Sequence, residues 1–226
     1  MTRFGAVRIL QSPKRFRKMS SYQVLARKWR PHDFESIVGQ DHVVTALTRA
    51  LTEGRLHHAY LFTGTRGVGK TTISRIFAKA LNCQGADGKG GVTAHPCGVC
   101  EACRAIDEGR FVDYIEMDAA SNRSVEDMTQ LLERAMYAPT EGRFKVYMID
   151  EVHMLSSTAF NAMLKTLEEP PEYVKFILAT TELHKVPATI LSRCQRFAFR
   201  RIVPEDIVGR LNYIAYQESI ELEPDA

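Results

Sequence analysis

Residues 64–71 have the sequence Gly64-Thr65-Arg66-Gly67-Val68-Gly69-Lys70-Thr71, which matches the pattern G-x-x-x-x-G-K-[ST]. A short apolar segment at 59–62 precedes them, and apolar residues at helical spacing follow up to residue 82. In such a loop the backbone N–H groups surround phosphates, the lysine reaches the β- and γ-phosphates, and the threonine hydroxyl binds Mg²⁺. The stretch, with which we count Thr72, therefore predicts an ATP-binding loop. An ordinary strand-to-helix turn is the alternative.

Strands and helices alternate along the rest of the chain. Strands are predicted by apolar or alternating segments at 59–62, 112–117, 144–149 and 174–179. Helices are predicted by apolar residues three and four apart, at Asp41 (as N-cap) to Gly54, 70–82, 124–137, about 157–168, and from Pro204 onward. The segment 22–40 is predicted to be an irregular arm. Strand–helix alternation is typical of a parallel α/β sheet with helices on both faces.

The predicted strand at 144–149 ends in two acids, Asp150 and Glu151. Because ligands of open α/β sheets bind at the carboxyl edge, we expect both side chains beside the phosphate loop. Asp150 is predicted to complete the Mg²⁺ site with Thr71, and Glu151 to orient or deprotonate the attacking water. A solvated acidic turn is the alternative. Residues 150–153 also match a DExH helicase box, but such a helicase needs a second motor domain, for which this chain has no room.

Four of the five cysteines have the spacing of metal ligands: Cys83, Cys97, Cys100 and Cys103. Four thiolates gathered by two short steps and one longer loop suit tetrahedral Zn²⁺, and four protein ligands make the site structural rather than catalytic. Iron–sulfur ligation and unligated thiols are the alternatives. His95 is a candidate substitute ligand or a surface histidine. Cys194 is interpreted as a small buried apolar residue rather than a nucleophile.

Two further positions bear on hydrolysis. Thr180 and Thr181 follow the predicted strand at 174–179, where their hydroxyls would either sense the γ-phosphate or cap a turn. Arg193 lies in Ser192-Arg193-Cys194, and its residue type alone indicates only a surface cation.

Composition indicates an ordinary globular protein of 226 residues, 45% hydrophobic and 25% charged. It contains no apolar run of the roughly 18 residues that a membrane span needs and no secretory signal, so we expect no membrane partner and a cytoplasmic location. The net charge of +3 depends on residues 1–18, which carry six basic and no acidic residues. Bulk charge therefore gives no support to nucleic-acid binding. This leader is interpreted as sequence upstream of the true start, with a transit peptide or basic arm as alternatives.

Taken together, the motifs resemble one known family. They are Leu25 to Pro31, Val38-Gly39-Gln40, Gly64 to Thr71, the four cysteines, residues 150–153, Thr166 to Pro171 and Ser192-Arg193-Cys194. Over residues 19 to about 226, the combination is similar to the gamma/tau subunits of bacterial DNA polymerase III. These subunits are the AAA+ ATPases that drive loading of the sliding clamp.

The resemblance implies a P-loop NTPase of the AAA+ class with a five-stranded parallel sheet. It implies that Lys70, Thr71, Asp150 and Glu151 serve ATP and Mg²⁺, and that the four cysteines bind zinc. Thr180 matches the sensor position, and Arg193 matches a finger that reaches a neighbouring subunit's ATP. Ala26, Arg30 and Val38 would border the adenine. The implied partners are the other subunits of a hetero-oligomeric clamp-loader ring, the sliding clamp and, through the complex, primed DNA.

The resemblance also divides the chain. It implies an AAA+ core at 19–200 with a zinc module at 83–103, followed at 201–226 by the start of a truncated helical lid domain. The glycine-rich spacer after Cys83 is longer than is usual in the family. We expect the 226-residue chain to be monomeric by itself and to hold no polymerase active site. A branch-migration motor with the same fold and an inactive scaffolding subunit are the rival interpretations.

Overall fold

The computed structural model describes residues 24–121 and 125–220. The chain divides into two compact units, Met1–Arg30 and Pro31–Ala226. Among the described residues, no helix is both long and apolar enough to span a bilayer.

In the described part of the first unit, Leu25–Lys28 forms a short helix, α1. The prediction of an irregular arm over 22–40 is therefore wrong at these four residues, which are all good helix formers. The predicted basic leader at 1–18 and the chain beyond residue 220 lie outside the described residues.

One parallel sheet organises the described part of the second unit, with the strand order β2-β3-β4-β1-β5. Its strands are β1 (Ala59–Thr63), β2 (Tyr114–Asp118), β3 (Lys145–Asp150), β4 (Val174–Thr180) and β5 (Gln195–Ala198). Four of them correspond to segments predicted from hydrophobicity. The fifth, β5, is a short edge strand in which only Phe197 is buried, so its own residues gave no strand pattern.

The helices of this unit cover both faces of the sheet. They are α2 (Asp41–Thr52), α3 (Lys70–Asn82), α4 (Glu101–Glu108), α5 (Val125–Ala135), α6 (Ser157–Glu168), α7 (Ala188–Leu191) and α8 (Pro204–Glu218). The sequence prediction missed α4, although Ala102, Ala105 and Ile106 recur at helical spacing and are buried. Asp41 is the first helical residue of α2 rather than its N-cap, a position that Gln40 occupies.

Strand residues alternate between two hydrophobic cores. Tyr60 and Phe62 of β1 belong to the core shared with α2, α3 and α4, whereas Ala59 and Leu61 belong to the core shared with α5, α6 and α7. This follows from the two-residue period of a strand whose two faces are both covered. The predicted α/β sheet with helices on both faces is thus confirmed.

Helix α3 is fixed in the first of these cores and carries the phosphate loop at its start. Ile73, Ile76 and Phe77 are fully buried, and burying each such side chain is worth about 1.5–3 kcal/mol. Lys79 is also fully buried, and its ammonium bonds the Asp107 carboxylate of α4 at 2.8 Å and the His32 carbonyl at 2.7 Å. Pairing is what allows a cation at this depth.

Asp113, immediately before β2, holds the loop between α5 and β3. Its side chain is fully buried and accepts hydrogen bonds from the backbone N–H groups of Thr140, Glu141 and Gly142 at 3.0, 2.7 and 2.7 Å. A carboxylate can satisfy several donors at once, which no apolar side chain can do. These bonds fix the position of the loop and therefore the register in which β3 begins.

We expect Asp113→Ala to lower the free energy of unfolding by about 3 kcal/mol, because it leaves three N–H donors without their acceptor. Urea unfolding followed by circular dichroism measures the change. Asp87→Ala is the control, since this exposed carboxylate accepts one local N–H bond at 3.1 Å. Equal losses in the two variants would contradict the role of Asp113.

Candidate nucleotide site and metal centre

The phosphate loop leaves β1 through Gly64, a position that only glycine can fill. Its φ is +151°, and a Cβ atom there would lie 2.9 Å from both the Cβ and the carbonyl oxygen of Phe199. Its N–H donates to the Thr180 carbonyl at 3.2 Å, which ties the loop to the end of β4. Gly69, with a φ of +97°, turns the chain into α3. The strand–loop–helix context that the motif requires is therefore present.

Lys70, the first residue of α3, folds back over the loop. Its ammonium donates to the carbonyl oxygens of Gly64 and Thr65 at 2.8 and 2.9 Å, and only 7% of the residue is exposed. Burial lowers the pKa of Lys70, while the nearby charges of Asp150 and Glu151 oppose the shift. A partly desolvated cation held at the centre of the loop is suited to bind an anion that reaches it.

Thr71 and Asp150 meet beside this lysine. The Thr71 hydroxyl donates to the Asp150 carboxylate at 3.2 Å, although the two residues belong to α3 and β3. The other carboxylate oxygen of Asp150 accepts the N–H of Glu151 at 2.9 Å. A hydroxyl and a carboxylate are the oxygen ligands that Mg²⁺ takes in proteins together with phosphates and water. The donor set therefore fits the predicted Mg²⁺ site.

Glu151 follows β3 with a positive φ of 47°, uncommon for a residue other than glycine. Its carboxylate accepts hydrogen bonds from the Thr181 hydroxyl at 2.9 Å and the Thr181 N–H at 3.3 Å, and lies 3.4 Å from the Arg66 guanidinium. Burial alone would raise the pKa of Glu151, but these hydrogen bonds together hold it below its ordinary value. Glu151 is thus ionised at neutral pH and can accept a proton or orient a water.

Thr180 is fully buried at the end of β4, and its hydroxyl is already engaged. It accepts the N–H of Glu182 at 3.0 Å and lies 2.9 Å from Nδ1 of His153. Sequence reasoning placed Thr180 and Thr181 together without separating them. The structure separates them, because Thr181 bonds Glu151 directly whereas Thr180 contacts His153. It also adds His153, which the sequence showed only as part of a helicase-like box.

Arg193 lies at the amino edge of the sheet, opposite the carboxyl edge that carries the phosphate loop. Parallel strands all start at the same edge, and Arg193 comes two residues before β5 begins. Its guanidinium bonds the Thr189 carbonyl at 2.7 Å and forms an ion pair with Glu168 at the end of α6. The structure therefore does not bring Arg193 together with Lys70 and Asp150, which lie at the carboxyl edge.

The three residues expected at the adenine lie in different units. Ala26 is in α1 and Arg30 ends the first unit, whereas Val38 precedes α2 in the second. Next to Val38, the Gln40 side chain exchanges two hydrogen bonds with the backbone of Arg200, at 2.7 and 3.1 Å. The adenine contacts remain a prediction.

The four cysteines at metal-ligand spacing come together in space. The sulfur atoms of Cys83, Cys97, Cys100 and Cys103 all lie within 4.8 Å of one another. Tetrahedral Zn²⁺ with Zn–S bonds of about 2.3 Å separates its sulfurs by about 3.8 Å, so the group fits one ion. Cys83 directly follows α3 and Cys103 lies in α4, so the group links these helices.

Backbone N–H groups are directed at these sulfurs. The N–H of Cys97 donates to Cys83 Sγ at 3.3 Å, and the N–H of Cys100 donates to Cys97 Sγ at 3.4 Å. Burial opposes ionisation of Cys97, but hydrogen bonds, first those from the N–H groups of Cys100 and Val99, lower the pKa of its thiol to about 7. Burial raises the pKa of Cys83 and Cys103, which a bound cation would reverse.

His95, the candidate substitute ligand, and Cys194, the fifth cysteine, lie outside this group. His95 pairs with Glu35 at 3.2 Å, as a surface histidine does, and is not one of the clustered ligands. Cys194 packs against the second core, and burial raises the pKa of its thiol to about 12. This agrees with a buried apolar residue rather than a nucleophile.

Arg143, two residues before β3, binds the long glycine-rich spacer. Its guanidinium donates to the Cys83 carbonyl at 2.7 Å and to the Gly90 carbonyl. Gly90 has no room for a side chain, since a Cβ atom there would lie 2.2 Å from the Gly85 nitrogen. The extra length is thus accommodated as a compact loop.

The phosphate loop, the acid pair and the strand order are those of the P-loop NTPase fold of the AAA+ class. The fold is shared with the solved RuvB Holliday junction branch migration motor of Thermotoga maritima, at a TM-score of 0.58 and 19% identity over 86% of this chain and 56% of that chain. At this identity, the likeness concerns the fold alone.

The sequence model of the family "DNA polymerase III, delta subunit" matches residues 39–203, and the chain belongs to this family. DNA polymerase III subunit tau of Escherichia coli (strain K12) is 61% identical over 91% of this chain and 31% of its own length. Subunit tau/gamma of Haemophilus influenzae (strain Rd) is 60% identical over 91% of this chain and 29% of its own length. The resemblance to gamma/tau subunits is confirmed, and the chain spans about a third of these relatives.

We expect one equivalent of zinc per chain, because four thiolates can bind the ion with about 10 kcal/mol or more of free energy. Cys103→Ser should abolish zinc binding, whereas Cys194→Ser, the matched control, should retain it. Elemental analysis of both variants measures the difference. Iron with a brown chromophore, or full zinc content in Cys103→Ser, would contradict the assignment.

Chelation of the metal should disorder residues 83–103 and leave ATP binding intact. Lys70 and Cys83 lie at opposite ends of α3, about 20 Å apart at 1.5 Å per residue. Hydrogen exchange and ATP calorimetry before and after chelation test this expectation.

Proposed function

We propose that the chain is the ATP-binding and ATP-hydrolysing motor of a bacterial DNA polymerase III clamp loader, which loads the sliding clamp onto primed DNA during replication. The observation that carries this proposal is the meeting of Lys70, Thr71 and Asp150 beside the phosphate loop at the carboxyl edge of the sheet. The high identity to tau and gamma subunits supports it.

The residues of the site divide the work of binding. The backbone N–H groups of 64–72 and the Lys70 ammonium would orient the phosphates. The N-terminus of α3 favours the same anion, because the helix dipole is positive at that end. Thr71 and Asp150 would hold Mg²⁺. When bound, ATP supplies the phosphoanhydride bond, and Mg²⁺ neutralises charge that develops on the phosphate oxygens. Lys70 must first exchange its two loop carbonyls for phosphate oxygens.

Hydrolysis needs a base near the γ-phosphate. Glu151 would take this role, since its carboxylate is ionised and two hydrogen bonds from Thr181 fix its position. Thr180 would sense the γ-phosphate from the adjoining position at the end of β4. An inactive scaffolding subunit would not need an ionised carboxylate held in this way.

Arg193 would act on the ATP of a neighbouring subunit. Its place at the amino edge of the sheet keeps it from its own loop, and its ion pair with Glu168 holds the guanidinium at that surface. The remaining assignments follow the same proposal. Ala26, Arg30 and Val38 would border the adenine, and the four cysteines would hold structural zinc.

The proposed partners are the other clamp-loader subunits, the sliding clamp and primed DNA, and the proposed location is the cytoplasm. Helix α8 would begin the helical lid, because its exposed face carries Ile207, Leu211 and Tyr216 without cover in the described part of the chain.

Lys70→Ala should weaken ATP binding by roughly 30–100-fold, the loss expected for charge-assisted hydrogen bonds to phosphate. Glu151→Gln should keep ATP affinity and lose about 10²–10⁴-fold in turnover. Calorimetry with ATP and a phosphate-release assay measure the two effects. Lys89→Ala, in an exposed loop, is the charge-matched control. Unchanged affinity in Lys70→Ala would refute the proposed site.

Arg193→Ala should hardly change the slow basal hydrolysis of the isolated chain. In the full-length loader assembled with clamp and primed DNA, it should remove a stimulation of roughly 10³–10⁵-fold while ATP binding persists. Arg196→Ala, on the exposed face of β5, is the control. Loss of basal turnover in the isolated Arg193→Ala chain would show that the residue acts on its own ATP.

A further inference from the structure

His153 is a buried histidine placed between the two acidic ends of neighbouring strands. It lies in the 3-10 turn Val152–Met154, which follows β3 after Glu151, and only 4% of its side chain is exposed. Its Nδ1 atom is 2.9 Å from the Thr180 hydroxyl and 3.4 Å from the Glu151 carboxylate, and its Nε2 atom is 3.3 Å from the Glu182 carboxylate. One ring therefore touches groups at the ends of both β3 and β4.

The contacts on Nε2 fix the ring. A proton on Nε2 makes the 3.3 Å contact with Glu182 favourable, because a carboxylate offers only acceptors. Glu182 is itself held, because its other oxygen is 2.7 Å from the Lys185 ammonium. The ring is thus anchored from the β4 side by an ion-paired acid.

The contacts on Nδ1 reach the groups proposed for hydrolysis. The Thr180 hydroxyl already accepts a hydrogen bond from the N–H of Glu182 at 3.0 Å. Its own proton can still be donated, and the acceptor depends on the state of Nδ1. With a lone pair on Nδ1, that proton points at the ring. With a proton on Nδ1, the ring donates to Thr180 or Glu151, and the hydroxyl is free to donate elsewhere.

We propose that His153 is a positioning residue for ATP hydrolysis, which uses its anchor on Glu182 to align the Glu151 carboxylate and to direct the Thr180 hydroxyl. The inference rests on the proposed function, because it assigns a role within the same site. The hydrogen bond and ion contacts of His153 go to Thr180, Glu151 and Glu182 rather than to the phosphate loop, so its effect falls on turnover and not on ATP affinity.

A purely structural histidine would behave differently. Burial alone predicts that any substitution lowers stability and disturbs binding and turnover together. A positioning role predicts a separation of the two, since the groups that bind ATP in the ground state are distinct from those that His153 aligns. It also predicts rescue by asparagine, whose amide places a polar atom near the position of Nδ1.

The experiment uses the full-length protein assembled with its partner subunits, with ATP as the probe. We expect His153→Ala to lower kcat by about 10–100-fold, as loss of a group that orients a reacting one does, with KM and the ATP dissociation constant unchanged. His153→Asn should recover part of this loss. His184→Ala is the control, because this exposed histidine lies near the same Glu182 carboxylate, at 3.8 Å, and should leave kcat unaltered.

Glu182→Ala provides a second variant at a side chain that is 37% exposed, where misfolding is not expected. Loss of the anchor should lower kcat in the same direction, again without loss of ATP affinity. Unchanged kcat in His153→Ala would overturn the proposal. An equal loss in the alanine and asparagine variants of His153, accompanied by weaker ATP binding, would overturn it as well.

Glu151→Gln, measured in parallel, separates this inference from the proposed function. If Glu151→Gln abolishes turnover while His153→Ala matches the wild type, only the positioning role of His153 fails. If the assembled wild type itself does not hydrolyse ATP, the proposed function fails, and the inference that depends on it fails as well.

Discussion

The hydrogen bond from the Thr71 hydroxyl to the Asp150 carboxylate joins the two halves of the candidate site. One partner belongs to the helix that follows β1, and the other ends β3. These strands are not neighbours, because β4 lies between them. The bond therefore depends on the parallel register of three strands, which brings the ends of β1, β3 and β4 to the same edge. A slip of one residue would exchange the two faces of a strand and separate the pair.

The same register explains the rest of the edge. Gly64 bonds the carbonyl of Thr180, the end of β4 supplies Thr181 to Glu151, and His153 joins β3 to β4. Each of these groups lies at the end of a strand that is packed on both faces. The polar groups are therefore held by rigid elements. The group of four cysteines is connected to this assembly through α3, which starts at the phosphate loop and is followed directly by Cys83.

Patterns of local sequence predicted the parts of this structure that local chemistry determines. The phosphate loop, four strands and the four clustered cysteines are set by residue type and spacing, and all were predicted. Strand β5 was not located, since Gln195 and Arg196 are exposed and the strand is held by pairing with β1. Helix α4 was not predicted because its eight residues are too few for a clear helical repeat and include one of the clustered cysteines, Cys103. The contact of Thr181 with Glu151 was not predicted, since it depends on the direction in which the chain leaves β4.

The phosphate loop, Thr71 and Asp150 are proposed to form one ATP and Mg²⁺ site. A crystal structure of the chain with Mg²⁺ and a non-hydrolysable ATP analogue tests it most directly. The account predicts that the Lys70 ammonium leaves the carbonyls of Gly64 and Thr65 for the β- and γ-phosphates, with Mg²⁺ held near Thr71 and Asp150. A nucleotide bound elsewhere, or a Lys70 that stays on its two carbonyls with the phosphates out of reach, would contradict it.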